Sequence, residues 1–153
     1  MMENPTWEDI DNGCQKIILG LRKLPSRYFD AVIGVLRGGI VPAVILSHKL
    51  RVPYVYAFGL RSYHEKEPGE NIRVYQGIPS LKNSFVLLVD DVCDSGRTMK
   101  FAAEFIEKAT GIAPVTATLH LKPGSIFRPT YHVWETSEWI TYPWETGKLS
   151  IQQ

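Results

Sequence analysis

Residues 85–99, FVLLVDDVCDSGRTM, constrain this chain more than any other stretch. The run from Phe85 up to the acid at Asp90 is apolar and β-prone, and its length suits a strand buried on both faces of a parallel sheet. The chain then breaks into Asp90, Asp91 and Asp94, a Ser95–Gly96 turn and a helix start near Thr98. Two adjacent acids where a strand leaves its sheet are costly unless they meet hydroxyls, metal or solvent. Ser95, Gly96, Arg97 and Thr98 follow with backbone N–H groups, two hydroxyls and a guanidinium at a helix N-terminus, a setting suited to phosphate. Acids fit for a sugar's hydroxyls therefore lie a few residues from donors fit for its phosphate. A plain Asx-rich turn after a core strand would not need that phosphate-binding sequel.

Strand and helix alternate around this stretch. Thr6 predicts a helix cap, with Asp9 reaching back in a shortened capping box. Ile10, Cys14, Ile17, Ile18, Leu21 and Leu24 then form one apolar stripe on a helix over about 7–23. Gly13 and Gly20 each weaken it by ~1 kcal/mol, so it must depend on packing. Residues 31–36 (AVIGVL) predict a core strand, and Val41, Val44, Ile45 and Leu50 a following helix. Between them, Arg37, Gly38 and Gly39 bring backbone close to an electropositive helix end, a second geometry for anions. A tight turn with a solvated arginine is the plain alternative, and the acid-rich loop nearby favours the anion.

Residues 53–57 predict a short strand, and 60–71 (LRSYHEKEPGEN) a mobile loop with Pro68 and Gly69 at its tip. Residues 72–75 are expected to pair across its base. Phe101, Ala102, Phe105, Ile106 and Ala109 make a helical stripe closed by Gly111 as a left-handed cap. Residues 115–121 (VTATLHL) and 131–135 complete the strands. The pattern predicts an α/β fold with a twisted, mainly parallel sheet and helices on both faces.

Length and charge narrow the function classes. With 153 residues the chain suits one domain with a real core. A formal net charge of +1 gives no overall field to recruit nucleic acid or an anionic membrane. No apolar run approaches the roughly 20 residues that span a bilayer, and the acidic start does not resemble a signal peptide. Cys14 and Cys93 are far apart, with no paired spacing for zinc or a disulfide framework. The expectation is a reduced, cytoplasmic protein. His48, His64, His120 and His132 show no ligand spacing. Cys93 is flanked by carboxylates that raise its pKa and oppose a reactive thiol.

Lys122-Pro123 closes the strand at 115–121, and a lysine at that end of a parallel strand points to the ligand crevice. Its charge suits an electron-rich oxygen, although a solvated strand-end lysine would account for the residue alone. Residues 138–147 (EWITYPWETG) are dense in aromatics. Trp139 followed by Ile140 suits stacking on a flat base with backbone at its edge. An aromatic cluster covering the sheet is the competing account, and it suffices for Trp144.

Strand, paired acids, a third acid and a Gly-Arg-Thr loop together resemble the ribose-phosphate signature of the type I phosphoribosyltransferases, and more closely the short bacterial and archaeal enzymes for hypoxanthine, guanine or xanthine. The resemblance spans about residues 7–147 and implies that fold with a small hood built from the N-terminal segment and residues 122–150. It implies that Asp90 and Asp91 hold the ribose hydroxyls, that Asp94 acts at the base, and that Asp94 with Ser95, Gly96, Arg97 and Thr98 surrounds the 5′-phosphate. Arg37, Gly38 and Gly39 would contact pyrophosphate, in a loop where some members carry a cis peptide. Ser62 and Tyr63 match the Ser-Tyr of a lid that shields the reacting sugar from water. Lys122 would read O6 of a 6-oxopurine, Trp139 would stack on it and the Ile140 carbonyl would meet its edge. Mg²⁺ would be the cofactor, with Asp90, Asp91 and Glu145 as its protein ligands. Glu145 stands where bacterial members more often have Asp, and Thr141 occupies a variable position of the base pocket.

The partners implied are phosphoribosyl pyrophosphate and a purine base, with a homodimer or homotetramer as the assembly. Two rivals stay open at this stage. One is an enzyme for another base, such as adenine, orotate or uracil. The other is a regulator of the same fold that binds phosphoribosyl pyrophosphate or nucleotide without catalysis, against which the lack of a basic stripe weighs.

Overall fold

The computed structural model describes residues 3–25, 28–64 and 70–145. Its elements are α1 (Trp7–Leu21), β1 (Ala31–Leu36), α2 (Ile40–Leu50), β2 (Val55–His64), β3 (Glu70–Gln76), β4 (Val86–Cys93), α3 (Arg97–Thr110), β5 (Val115–Leu121) and β6 (Tyr131–Glu135). The strands form one sheet in the order β3-β2-β1-β4-β5-β6. Every neighbouring pair is parallel except β2 with β3.

Side chains alternate across the sheet, as period-2 strands require. Val32, Leu87, Val89, Ala117 and Leu119 join Ile10, Cys14, Ile17 and Leu46 of α1 and α2 in one core. Ala31, Ile33, Val35, Val86 and Leu88 face the other way, onto Met99, Ala102 and Ile106 of α3. Helices therefore cover both faces, and the six-residue β1 is buried almost throughout.

The helix caps follow the sequence closely. Thr6 and Asp9 form a full capping box at α1, and Gly111 ends α3 in the left-handed region at φ 81. The two glycines of α1 have a packing role. A Cβ on Gly20 would stand 2.6 Å from the Tyr131 ring, and one on Gly13 would stand 2.8 Å from Trp134. Both aromatics belong to β6, so the bare helix face lets the last strand press close. The N-terminal segment meets the end of the described chain, since the Thr141 N–H donates to the Glu3 carbonyl at 2.9 Å. Trp7 lies 5.9 Å from Trp144, ring to ring.

One expectation is corrected. Residues 60–64 and 70–71, predicted as part of a mobile loop, are strand: β2 and β3 pair antiparallel from Gly59↔Gln76 to His64↔Glu70. This ribbon is largely polar, so it lacks the apolar alternation by which a half-buried strand is recognised. Pro68 and Gly69, expected at its tip, and Gly147 lie outside the described residues. Among the described residues, no helix is long and apolar enough to cross a membrane.

Candidate active site

The chain leaves β1 through α2 towards β2, and leaves β4 through α3 in the opposite direction, towards β5. Ligand crevices form outside the carboxyl ends of strands at such a reversal. Pairing of β1 with β4 ends at Gly34↔Val89, whereas β4 continues along β5 through Asp90↔Thr118, Val92↔His120 and Cys93↔Leu121. Asp90 and Asp91 therefore lie within β4, beyond its pairing with β1. The strand does not end at the acids, as its apolar run alone predicts, because β5 supplies the partner that carries it three residues further, to Cys93.

Asp90 is buried and Asp91 half-buried. The Asp91 N–H donates to Asp90 Oδ1 at 2.8 Å, and the Val92 N–H to Asp91 Oδ1 at 2.7 Å. Burial, then the charge of Asp91, pushes Asp90 well above the ordinary carboxyl range. Burial also raises Asp91; hydrogen bonds from its neighbours oppose the rise and the Glu145 carboxylate adds to it. A carboxyl raised in the fold keeps its proton after the unfolded chain has lost it. Folding stability therefore falls as pH rises from the unfolded value through the folded one. Asp90→Asn is expected to raise the ligand-free Tm at neutral pH by several degrees and to flatten its decline above the acid range. Thermal scans across pH test this, and an unchanged or lower Tm would contradict the burial cost.

Residues 95–98 turn into α3 immediately after β4. Gly96 caps the helix with φ 85, and a Cβ there would lie 2.6 Å from the Phe127 amide nitrogen, so the turn backs directly onto the 125–127 loop. The Ile126 N–H donates to the Ser95 carbonyl at 2.9 Å and holds the two loops together. Asp90, Asp94, Ser95, Gly96 and Thr98 line a small cavity of about 80 Å³. Cys93 is buried beneath it, with Sγ 3.2 Å from Ser125 Oγ. Burial is the main reason its thiol is raised, with Asp90 and Asp94 adding to it.

The Leu36–Arg37 peptide is cis. Arg37, Gly38, Asp91, Trp144 and Glu145 line a cavity of about 600 Å³. Gly38 packs so closely on the acid that a Cβ would fall 1.7 Å from Asp91 Oδ2. Arg37 also borders a second cavity, of about 700 Å³, shared with Arg61, Tyr63 and Tyr75 of the β2–β3 ribbon. Ser62 is exposed beside it. Arg61 was not singled out in the sequence, although it directly precedes Ser62.

At the end of β5, Lys122 Nζ donates to the Glu138 carbonyl, which brings the lysine to the aromatic segment. Trp139 is 81% exposed, with an open ring face, whereas the Ile140 side chain is buried in the core. Glu145 Oε2 accepts the Tyr142 N–H at 2.9 Å. Two further residues escaped the sequence reading. His120 and Tyr142 are both buried and hydrogen-bonded beneath Asp91. They stand 22 residues apart, with no local motif to link them.

The donor set also fits a divalent cation. Asp91 and Glu145 share one cavity, and their mutual repulsion would be relieved by positive charge between them. Among the described residues, no three or more His, Cys, Asp or Glu converge on a point. One or two carboxylates completed by substrate oxygens and water is the usual setting of Mg²⁺.

A doubly wound sheet with paired acids and two anion-suited turns at its reversal point defines a class, and the chain belongs to it: the phosphoribosyl transferase domain family, whose model matches residues 6–151. Over 143 residues it is 30% identical to the xanthine-guanine phosphoribosyltransferase of Idiomarina loihiensis, covering 92% of this chain and 84% of that protein. It is 32% identical, with the same coverage, to the enzyme of that name from Desulfotalea psychrophila. The crystal structure of a purine phosphoribosyltransferase from Pyrococcus horikoshii matches with a TM-score of 0.84 at 33% identity, covering 93% of each chain.

Proposed function

We propose that this chain is a cytoplasmic purine-salvage enzyme that transfers the 5-phosphoribosyl group of phosphoribosyl pyrophosphate to N9 of a 6-oxopurine, releasing pyrophosphate. The observation that carries the reading is the placement of Asp90 and Asp91 in β4 at the sheet reversal, between the 95–98 turn and the Arg37–Gly38 turn. A phosphorylated pentose with an anionic leaving group presents an anion, a diol and a second anion in that order.

In this reading the amides and hydroxyls of Ser95, Gly96, Arg97 and Thr98 hold the 5′-phosphate, and Arg37, Gly38 and Gly39 hold the pyrophosphate. Asp90 and Asp91 accept the two ribose hydroxyls, and their charge favours the cation-like sugar as the C1′–oxygen bond breaks. N9 of the purine then bonds to C1′ while Asp94 takes the proton from N7. Lys122 donates to O6 as charge gathers there, Trp139 stacks on the ring and the Ile140 carbonyl meets its edge. Ser62 and Tyr63, on the ribbon beside Arg37, keep water from the sugar. Asp91 and Glu145, which share a cavity, would hold Mg²⁺ together with substrate oxygens, and the ion would supply positive charge against the departing pyrophosphate. Asp90, expected as a third ligand, lines the cavity at the 95–98 turn instead. The working assembly is a homodimer or homotetramer.

Mixing the protein with Mg²⁺, phosphoribosyl pyrophosphate and hypoxanthine, guanine, xanthine or adenine in turn tests the reading. A nucleoside monophosphate should appear with at least one 6-oxopurine. Tight binding of phosphoribosyl pyrophosphate with no product from any base would replace the enzyme by a ligand-sensing role. In the same panel, Lys122→Ala should lower kcat/KM for 6-oxopurines by about 10–100-fold, the worth of one charged hydrogen bond. Its residual activity with adenine should not change, and an unchanged base preference would remove the lysine from base recognition.

A further inference from the structure

Tyr142 occupies a junction that the reaction scheme leaves unused. Only 2% of it is exposed, and its hydroxyl donates to the main-chain carbonyl of Asp91 at 3.0 Å. The same oxygen lies 2.9 Å from Nδ1 of His120, which is fully buried in β5. A tyrosine hydroxyl has one proton, and here the Asp91 carbonyl takes it. At the second contact the oxygen must therefore accept, which places a proton on His120 Nδ1. The outcome is a directed chain from His120 N–H to the Tyr142 hydroxyl to the Asp91 carbonyl.

The rest of Tyr142 reaches the opposite wall. Its N–H donates to Glu145 Oε2, and its ring stacks on Trp144 at 4.6 Å and 6°. Asp91, Trp144 and Glu145 are three of the five residues lining the cavity that also contains Arg37 and Gly38. One buried side chain thus ties the acid strand to the segment that closes the cavity over it.

We infer that Tyr142 and His120 are positioning residues that hold the Trp144–Glu145 wall in register with Asp91, and so set the affinity for phosphoribosyl pyrophosphate. The inference rests on the functional reading above for the identity of the ligand. Neither side chain touches the reacting atoms. Removing the hydroxyl would take one hydrogen-bond partner from the buried His120 ring and one from the Asp91 carbonyl, and that loss favours movement of the strand or of the wall.

Tyr142→Phe preserves the stacked ring and deletes the relay. His120→Leu deletes the donor, whereas His120→Asn keeps an N–H close to the position of Nδ1. Calorimetry with phosphoribosyl pyrophosphate and Mg²⁺, at a temperature where circular dichroism shows each variant folded, should give a Kd at least tenfold weaker for Tyr142→Phe and His120→Leu. His120→Asn should bind within threefold of the wild type, and KM for the purine should stay within twofold throughout. The inference is overturned if Tyr142→Phe lowers Tm yet leaves that Kd within twofold, or if the Asn and Leu variants at 120 behave alike. Should Tyr142→Phe not fold, the His120 pair decides alone. Because binding is measured without turnover, a wild type that binds the sugar phosphate but forms no nucleotide would fail the enzymatic reading and leave this comparison intact.

Discussion

Asp94→Asn is expected to lower kcat by about 10²–10⁴-fold, the range of a lost general base, while the Kd for phosphoribosyl pyrophosphate stays within threefold. Asp94 is exposed on the turn directly after β4, beside Ser95, Gly96 and Thr98. Asparagine keeps its shape and loses its capacity to take a proton. The change also removes a negative charge next to a pocket for an anion, which by Coulomb's law does not weaken the anion's binding. Steady-state rates and calorimetry on one preparation separate the two quantities. Equal losses in both would strip Asp94 of its role at the base and make it a scaffold for the turn.

The second large effect is expected at Gly39, where the lesion reaches the fold as well as the site. A Cβ there would stand 2.6 Å from the Val35 carbonyl, 2.7 Å from the Val89 carbonyl and 2.8 Å from the Asp90 Cα. All three are backbone atoms, so no side chain can rotate away. Gly39→Ala should cost about 3 kcal/mol, at the upper end of ordinary overpacking, and lower Tm by roughly 6–12 °C for a chain of this size. Gly38→Ala makes a telling contrast, because its added carbon meets the Asp91 carboxylate rather than backbone. It should lose binding of phosphoribosyl pyrophosphate with a much smaller change in Tm. Chemical denaturation and calorimetry on the pair read both effects, and a Gly39→Ala protein as stable as the wild type would refute the packing argument.

What could be read in advance depended on whether the signal was local. The β4 segment announced itself because a buried strand must be apolar and because acids at its end have few tolerable uses. Thr6 and Asp9 marked a helix start for the same reason: the capping box is complete within four residues. The ribbon was missed because exposed antiparallel arms carry polar side chains and show no alternation. The position of the acids inside β4 was missed because it depends on β5, more than twenty residues away in sequence. Tyr142 and His120 lie further from legibility still, since their link to Asp91 spans 51 residues and exists only once the sheet has formed.

The register of β1 has a consequence for how this site could change. β1 keeps its pairing with β2 as far as Leu36↔Gly59 but abandons β4 after Gly34↔Val89. The crevice is thus a fork in the main chain, with Gly39 wedged at its root. Its width is set by hydrogen-bonded strands instead of by the bulk of the residues along its rim. Rim side chains can be exchanged to suit a new base while the gap itself endures, so substrate preference is a far more malleable property of this protein than its hold on the sugar.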